Sequence, residues 1–195
     1  MSDIRCGDST HPRAPLGRRC ARAAAPLLAA LLLSPLAQAA LKVGDSAPRF
    51  TTPAAVAGKA FDFDMAATLK KGPVVLYFFP KAFTQGCTME AHAFAEATPR
   101  FAAMGATVVG MSHDDIDTLK RFSTEACRDQ FAVASDPQAQ TIRAYDASAA
   151  ADPQRADRIS YVIGQDGKVR FVHVGSDPDE HVRQTEAAVK RLTGK

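Results

Sequence analysis

The chain has 195 residues, 46% of them hydrophobic, which suits one domain with a self-sufficient core and leaves little room for two. Its formal charge of +3 comes from residues 1–39, which hold five of the 24 basic and two of the 21 acidic side chains and so leave 19 of each sign. A neutral remainder gives no charge argument for nucleic acid or an anionic membrane surface as a partner.

The first residues read as a leader. Arginines at positions 5, 13, 18, 19 and 22 precede "AAAPLLAALLLSPLAQA", an apolar stretch too short and too Pro-broken to span a bilayer, ending in Ala37-Gln38-Ala39. The expectation is a signal peptide over 1–39, cleaved near Ala39, and a mature domain over 40–195 that is periplasmic or secreted and free of the membrane. The basic region is long for such a leader, and a start further downstream would leave the protein cytoplasmic, yet no other Met occurs before Met65. Arg18-Arg19 suggests twin-arginine export, but the "CARAA" that follows it fits that pattern poorly. Cys6 and Cys20 leave with the leader, so the mature chain keeps Cys87 and Cys127. Two thiols in an oxidising compartment make a structural disulfide unless their surroundings argue otherwise.

From Leu41, "LKVGDSAPRFTTPA" is punctuated by Pro and Gly and reads as an extended leading arm, with "KAFDFDM" as a short edge strand. "GPVVLYFFP" is a continuous apolar run of strand length, which predicts a strand covered on both faces. Beyond Thr88, the steps between Phe94, Ala97, Phe101 and Met104 predict one helical face, and "ATVVGMS" a second buried strand. "DDIDTLKRFSTEACRDQF" predicts a helix capped by Asp114 or Asp115, "FAVASD" a short strand and "AQTIRAYD" two helical turns. "RISYVIGQDGKVRFVHVG" reads as a hairpin turning at Asp166-Gly167. The final segment predicts a helix with Val182, Ala187, Val189 and Leu192 along it, acids early and bases late. This order implies an α/β fold: a mixed central β-sheet with helices on both faces, a three-layer sandwich of the thioredoxin-like kind.

Cys87 falls where the first buried strand gives way to a helix, so its sulfur meets the unpaired N–H groups and positive dipole end of the helix's first turn. Thr84 stands three residues before it, where a Cys-x-x-Cys motif would carry its first thiol. A hydroxyl there can orient a substrate O–H, whereas a second thiol would favour disulfide exchange.

The spacing Pro80-x-x-x-Thr84-x-x-Cys87 resembles that of the peroxiredoxins, and "FFPKAFTQGCT" resembles the active-site segment of their bacterioferritin comigratory protein branch. "RISYVIGQDGKV" resembles the family's stretch in which an Arg precedes a strand and hairpin, and the resemblance covers essentially all of residues 41–195. It implies a thiol-dependent peroxidase for hydrogen peroxide and organic hydroperoxides, with no metal, haem or flavin cofactor. The implied roles are Cys87 as nucleophile, Arg158 reaching the thiolate and peroxide, Glu90 orienting that Arg, and Pro80 shielding the pocket and fixing the loop. A planar guanidinium suits that task, being permanently charged and rich in donors. Oxidation would leave Cys87 as a sulfenic acid, which a second thiol can condense into a disulfide.

Many relatives of this branch carry that thiol five residues on, where this chain has His92; others carry it in the following helix, near whose end Cys127 lies. Cys127 is therefore the candidate resolving cysteine, the alternative being a packed, uninvolved thiol and a one-cysteine cycle with an external reductant. The implied partners are a small peroxide and a thioredoxin-like or other thiol reductant, with a monomer and a homodimer both open. The rival readings are a thiol–disulfide oxidoreductase, against which Thr84 argues, and a copper-binding thioredoxin-like module, which would need neighbouring Cys ligands. His92 reads as a helix surface residue and His113 as a loop residue; "SDPDEH" lacks the Gly and spaced acids of a calcium loop and reads as a turn and helix cap.

Overall fold

The computed structural model describes residues 40–195; the expected leader, with Cys6 and Cys20, lies outside the described residues. In chain order the elements are β1 (Thr51–Val56), β2 (Lys59–Asp64), α1 (Met65–Leu69), β3 (Val74–Phe78), α2 (Gln85–Ala103), β4 (Thr107–Ser112), α3 (Ile116–Glu125), β5 (Ala132–Ser135), α4 (Gln140–Ala144), β6 (Ser148–Ala149), β7 (Asp152–Ala156), β8 (Ile159–Ile163), β9 (Val169–Val174) and α5 (Pro178–Thr193). Seven strands form one sheet in the order β2-β1-β5-β4-β3-β8-β9, while β6 and β7 make a separate small ribbon. The central strands β3, β4 and β5 run parallel, and the flanking strands join antiparallel.

Every residue of β3 is buried, because successive side chains point to opposite faces and both faces are covered. Val75 and Tyr77 pack with Phe94 of α2, Phe122 of α3 and Val189 of α5. Leu76 and Phe78 pack on the other side with Met65 of α1 and Ile142 of α4. One apolar run thus seeds two cores, at about 1.5–3 kcal/mol per fully buried large side chain, and the result is the expected three-layer, thioredoxin-like α/β sandwich. In α2, Phe94, Ala97 and Phe101 form the buried stripe, with Pro99 inside the helix removing one ladder hydrogen bond. Met104 caps that helix's C-terminus, and Gly105, at a φ of 78°, turns the chain away.

Three local expectations differ from the structure. The arm over Leu41–Ala54 is irregular only at first: its tail enters β1, second in the sheet from the edge strand β2. Pro53 is tolerated there because the two-residue turn at Ala57-Gly58 closes on the Val56–Lys59 pair, which places Pro53 at a non-hydrogen-bonded position facing β5. The pairing with β5 is recorded only at Ala54 and Ala55. The helix expected across "DDIDTLKRFSTEACRDQF" stops at Glu125, since Arg128 and Asp129 adopt left-handed φ values of 51° and 63° and turn the chain, leaving Cys127 just past the helix. The buried face of α5 is His181, Val182, Thr185, Ala188 and Val189, whereas Leu192 is exposed. Two polar residues can line that face because both find partners, the Thr185 hydroxyl donating to the His181 carbonyl at 2.7 Å.

Candidate active site

The C-terminal end of β3 gathers three pieces of chain. The first is the loop from Phe79 to Thr84, in which Pro80 is half-buried. The Phe79 N–H donates to the Met111 carbonyl at 3.0 Å. The Ala82 N–H donates to Asp114 Oδ2 at 2.8 Å, and the Ser112 hydroxyl donates to the same oxygen at 2.8 Å. Asp115, not Asp114, caps α3, accepting from the Thr118 N–H at 2.8 Å. Phe83 holds a left-handed φ of 63°, an unfavourable geometry for a bulky residue; its ring packs edge-on against Phe122 at 5.2 Å and lies under the Arg121 guanidinium at 5.0 Å.

The second piece is the start of α2. Thr84 is its N-cap residue in extended geometry, and its hydroxyl donates to the Lys81 carbonyl at 3.1 Å instead of capping a helix N–H. Thr84 is solvent-exposed and makes no hydrogen bond to Cys87. Cys87, in the first turn, is 2% exposed. Glu90 follows three residues later on the same helix face and is completely buried.

The third piece is Arg158, immediately before β8. Because β8 runs antiparallel to β3 with Ile159 opposite Phe78, Arg158 arrives where the chain leaves β3 for Pro80. Its Nη2 donates to Cys87 Sγ at 3.6 Å, and its Nη1 pairs with Glu90 Oε2. A positive group and a helix N-terminus converge on one sulfur. Burial pushes the Glu90 carboxyl up to about 8, with the Arg158 charge and hydrogen bond opposing.

Cys127 is fully buried in the same apolar cluster as Cys87, together with Tyr77, Phe94 and Phe122. Both cysteines are free. Burial, with Asp129 adding to it, pushes the Cys127 thiol far above its usual range, so it is not nucleophilic in this arrangement. The Tyr77 hydroxyl, buried without a partner, is likewise pushed up by burial first and then by the charges of Cys127, Glu90 and Cys87.

The structure therefore brings Cys87, Arg158 and Glu90 into one contact chain, with Pro80 in the adjoining loop, Thr84 exposed at the start of α2 and Cys127 in the core. Sequence reading missed Gly86: a Cβ there would stand 3.1 Å from Arg158 Nη2, so the guanidinium depends on the missing side chain to approach. It also missed Asp114 as the loop's anchor, and His181, buried beside Glu90 with Ser160 as its hydrogen-bond partner. Of these only Ser160, a polar residue inside the apolar run Ile159–Ile163, carried a local signal.

The family profile described as the AhpC/TSA family matches residues 43–172. The chain belongs to this family. A Mycobacterium tuberculosis peroxiredoxin is 32% identical over 73% of this chain and 90% of its own length. Chloroplastic peroxiredoxin Q of Oryza sativa subsp. japonica is 29% identical over 76% of this chain and 67% of its own. Among solved structures, peroxidoxin BcpB from Mycobacterium tuberculosis superposes with a TM-score of 0.70 at 28% identity, covering 78% of this chain and 98% of that one. These relatives place the chain in the peroxiredoxin Q and bacterioferritin comigratory protein branch, as a thiol-dependent peroxidase.

Proposed function

We propose that Cys87 is the nucleophile of this peroxidase and Arg158 its electrostatic partner, on the strength of the 3.6 Å contact between Nη2 and Sγ at a helix N-terminus. The Cys87 thiolate attacks one oxygen of ROOH, the O–O bond breaks, and the products are Cys87 sulfenic acid and RO⁻, which takes a proton to leave as ROH. Arg158 spreads its donors over the sulfur and the departing oxygen, where negative charge develops. The Thr84 hydrogen is committed to the Lys81 carbonyl, which leaves its lone pairs to accept the peroxide O–H. Pro80 closes the loop side of the pocket, and Glu90 restrains the guanidinium.

Cys127 then resolves the sulfenic acid: its thiol condenses with Cys87 sulfenic acid, forming the disulfide and releasing water. A thioredoxin-like dithiol returns both sulfurs to thiols and is itself oxidised to a disulfide. Since Cys127 is buried past the end of α3, this step requires the turn at Arg128 and Asp129 to open, so that the two Cα atoms come within about 7 Å. Export through cleavage near Ala39 would place this cycle in the periplasm or outside the cell. N-terminal sequencing of protein recovered from a Gram-negative host's periplasm tests that, a retained Met1 counting against it.

The decisive test treats the reduced protein with one equivalent of hydrogen peroxide and maps the sulfurs peptide by peptide. A Cys87–Cys127 linkage is expected. Oxidised Cys87 beside free Cys127 would replace the two-cysteine cycle with a one-cysteine cycle, and unmodified Cys87 would refute the assignment altogether. The oxidoreductase and copper-module alternatives gain no comparable support, since Thr84 supplies no second thiol beside Cys87.

A further inference from the structure

Behind Arg158 and Glu90 lie the buried polar groups His181 and Ser160, to which the peroxidase cycle gives no role. Glu90 gives Oε2 to Arg158, while its Oε1 is buried with no hydrogen-bond partner. Leaving such an atom unsatisfied is unfavourable, and something must hold the carboxyl in that orientation. The group that Oε1 faces is His181, whose Nδ1 stands 3.9 Å away.

His181 sits fully buried in the first turn of α5 and is restrained at both ring nitrogens. Nε2 is 2.9 Å from the Gly175 carbonyl oxygen, and Nδ1 is 2.8 Å from Ser160 Oγ. A carbonyl only accepts, so Nε2 carries the hydrogen, and in the neutral ring the Ser160 hydroxyl donates to Nδ1. Burial keeps the ring neutral, pushing its ionisation down to about 4. The His173 ring packs edge-on against it at 4.5 Å. Ser160 and Arg158 belong to the same stretch of chain at β8, two residues apart, so the strand that delivers the guanidinium also anchors the ring.

We propose that His181 is a positioning residue for the peroxidase site: fixed by Ser160 and the Gly175 carbonyl, it backs the Glu90 carboxyl and thereby holds the Arg158 guanidinium on the Cys87 sulfur. With Oε1 itself buried, the ring edge at 3.9 Å is the polar group that faces it and limits how far the carboxyl can turn. A carboxyl free to turn would carry the guanidinium with it, and the contact at stake, Nη2 to Sγ at 3.6 Å, tolerates little displacement. The inference rests on Cys87 being the peroxide-reactive thiol.

A double-mutant cycle tests it. His181→Phe keeps a ring and removes both nitrogens, and the same change is made in a Glu90→Gln background. In the otherwise wild-type chain, His181→Phe should slow oxidation of Cys87 by hydrogen peroxide roughly tenfold, as a displacement of a few tenths of an ångström at a reacting centre does. In the Glu90→Gln background the same change should alter the rate less than about twofold, because the ring acts through the carboxyl. An equal factor in both backgrounds, or an unchanged rate in the first, overturns the proposal.

Should His181→Phe fail to fold, Ser160→Ala, which removes only the hydroxyl that restrains the ring, enters the same cycle under the same criterion. Iodoacetamide alkylation of Cys87 at fixed pH is measured on all four proteins. That reaction uses no peroxide, so an absence of peroxidase activity in the wild-type chain would sink the functional assignment while the alkylation cycle still decides whether His181 acts on the sulfur through Glu90.

Discussion

Gly86→Ala should make the protein slower and no less stable. Gly86 lies in the first turn of α2 at an ordinary helical φ, so Ala is tolerated by the backbone and favoured in a helix interior by up to about 1 kcal/mol. The added Cβ would meet one heavy atom within 4 Å, Arg158 Nη2 at 3.1 Å. A comfortable contact needs about 3.5 Å, so the guanidinium must retreat by about 0.4 Å. Its separation from Cys87 Sγ then grows from 3.6 Å towards the limit of an N–H to sulfur contact. A hydrogen bond to a charged group contributes about 1.5–3 kcal/mol. Losing the lower end of that range in the transition state is about tenfold in rate. Quenched-flow oxidation of Cys87 by hydrogen peroxide, with mass-spectrometric readout, measures the rate, and thermal unfolding measures the stability. A rate equal to wild type would refute the claim that the guanidinium's place beside the sulfur drives the chemistry. A melting point lowered by many degrees would show that the new methyl meets more than a movable side-chain tip.

Other outcomes follow from the same geometry. Asp114→Ala strands the buried Ala82 N–H and Ser112 hydroxyl, and should cost about 3 kcal/mol by chemical denaturation while slowing peroxide reduction; a loss under 0.5 kcal/mol would mean that the loop does not depend on this anchor. Cys127→Ser should leave the first oxidation of Cys87 intact, let sulfenic acid accumulate to dimedone trapping, and abolish turnover with a dithiol protein; sustained turnover would remove Cys127 from the cycle. His181 has its ionisation pushed from 6.5 down to about 4 by burial, so the unfolded chain takes up the proton first as pH falls. Its contribution is complete above pH 6.5 and is lost towards pH 4, about 3 kcal/mol in all. His181→Phe should therefore lose less stability than wild type between pH 7 and pH 4.5, and equal losses would contradict the assignment. Glu90, pushed from 4.5 up to about 8, works in the opposite sense. It disfavours the fold as pH rises through that window, so Glu90→Gln should gain thermal stability over wild type at pH 8 relative to pH 5.

Much of the architecture was legible because its signals are local. The β3 run, the hairpin at Asp166-Gly167 and the α2 stripe of Phe94, Ala97 and Phe101 announce their own geometry through side-chain periodicity. Where local and tertiary effects compete, the local reading failed. Pro53 argues against a strand, yet pairing with β2 on one side and Ala54 and Ala55 against β5 on the other hold β1 in the sheet. Apolar spacing in the last helix pointed to Leu192, yet that residue is exposed, while His181 and Thr185 turn inward because the neighbouring elements and their own helix satisfy them.

The amino-acid order alone determined the setting of Cys87: Pro80, Thr84 and Cys87 are close in the chain, and a strand giving way to a helix places them by short-range geometry. Tertiary structure decided what acts on that sulfur. Arg158 lies 71 residues from Cys87, and the antiparallel register of β8 on β3 brings them together. Gly86 matters only because a guanidinium arrives over it, and His181 only because α5 packs beside α2. Contacts between distant segments depend on strand register and helix packing summed over the whole fold, a quantity no single stretch of sequence contains.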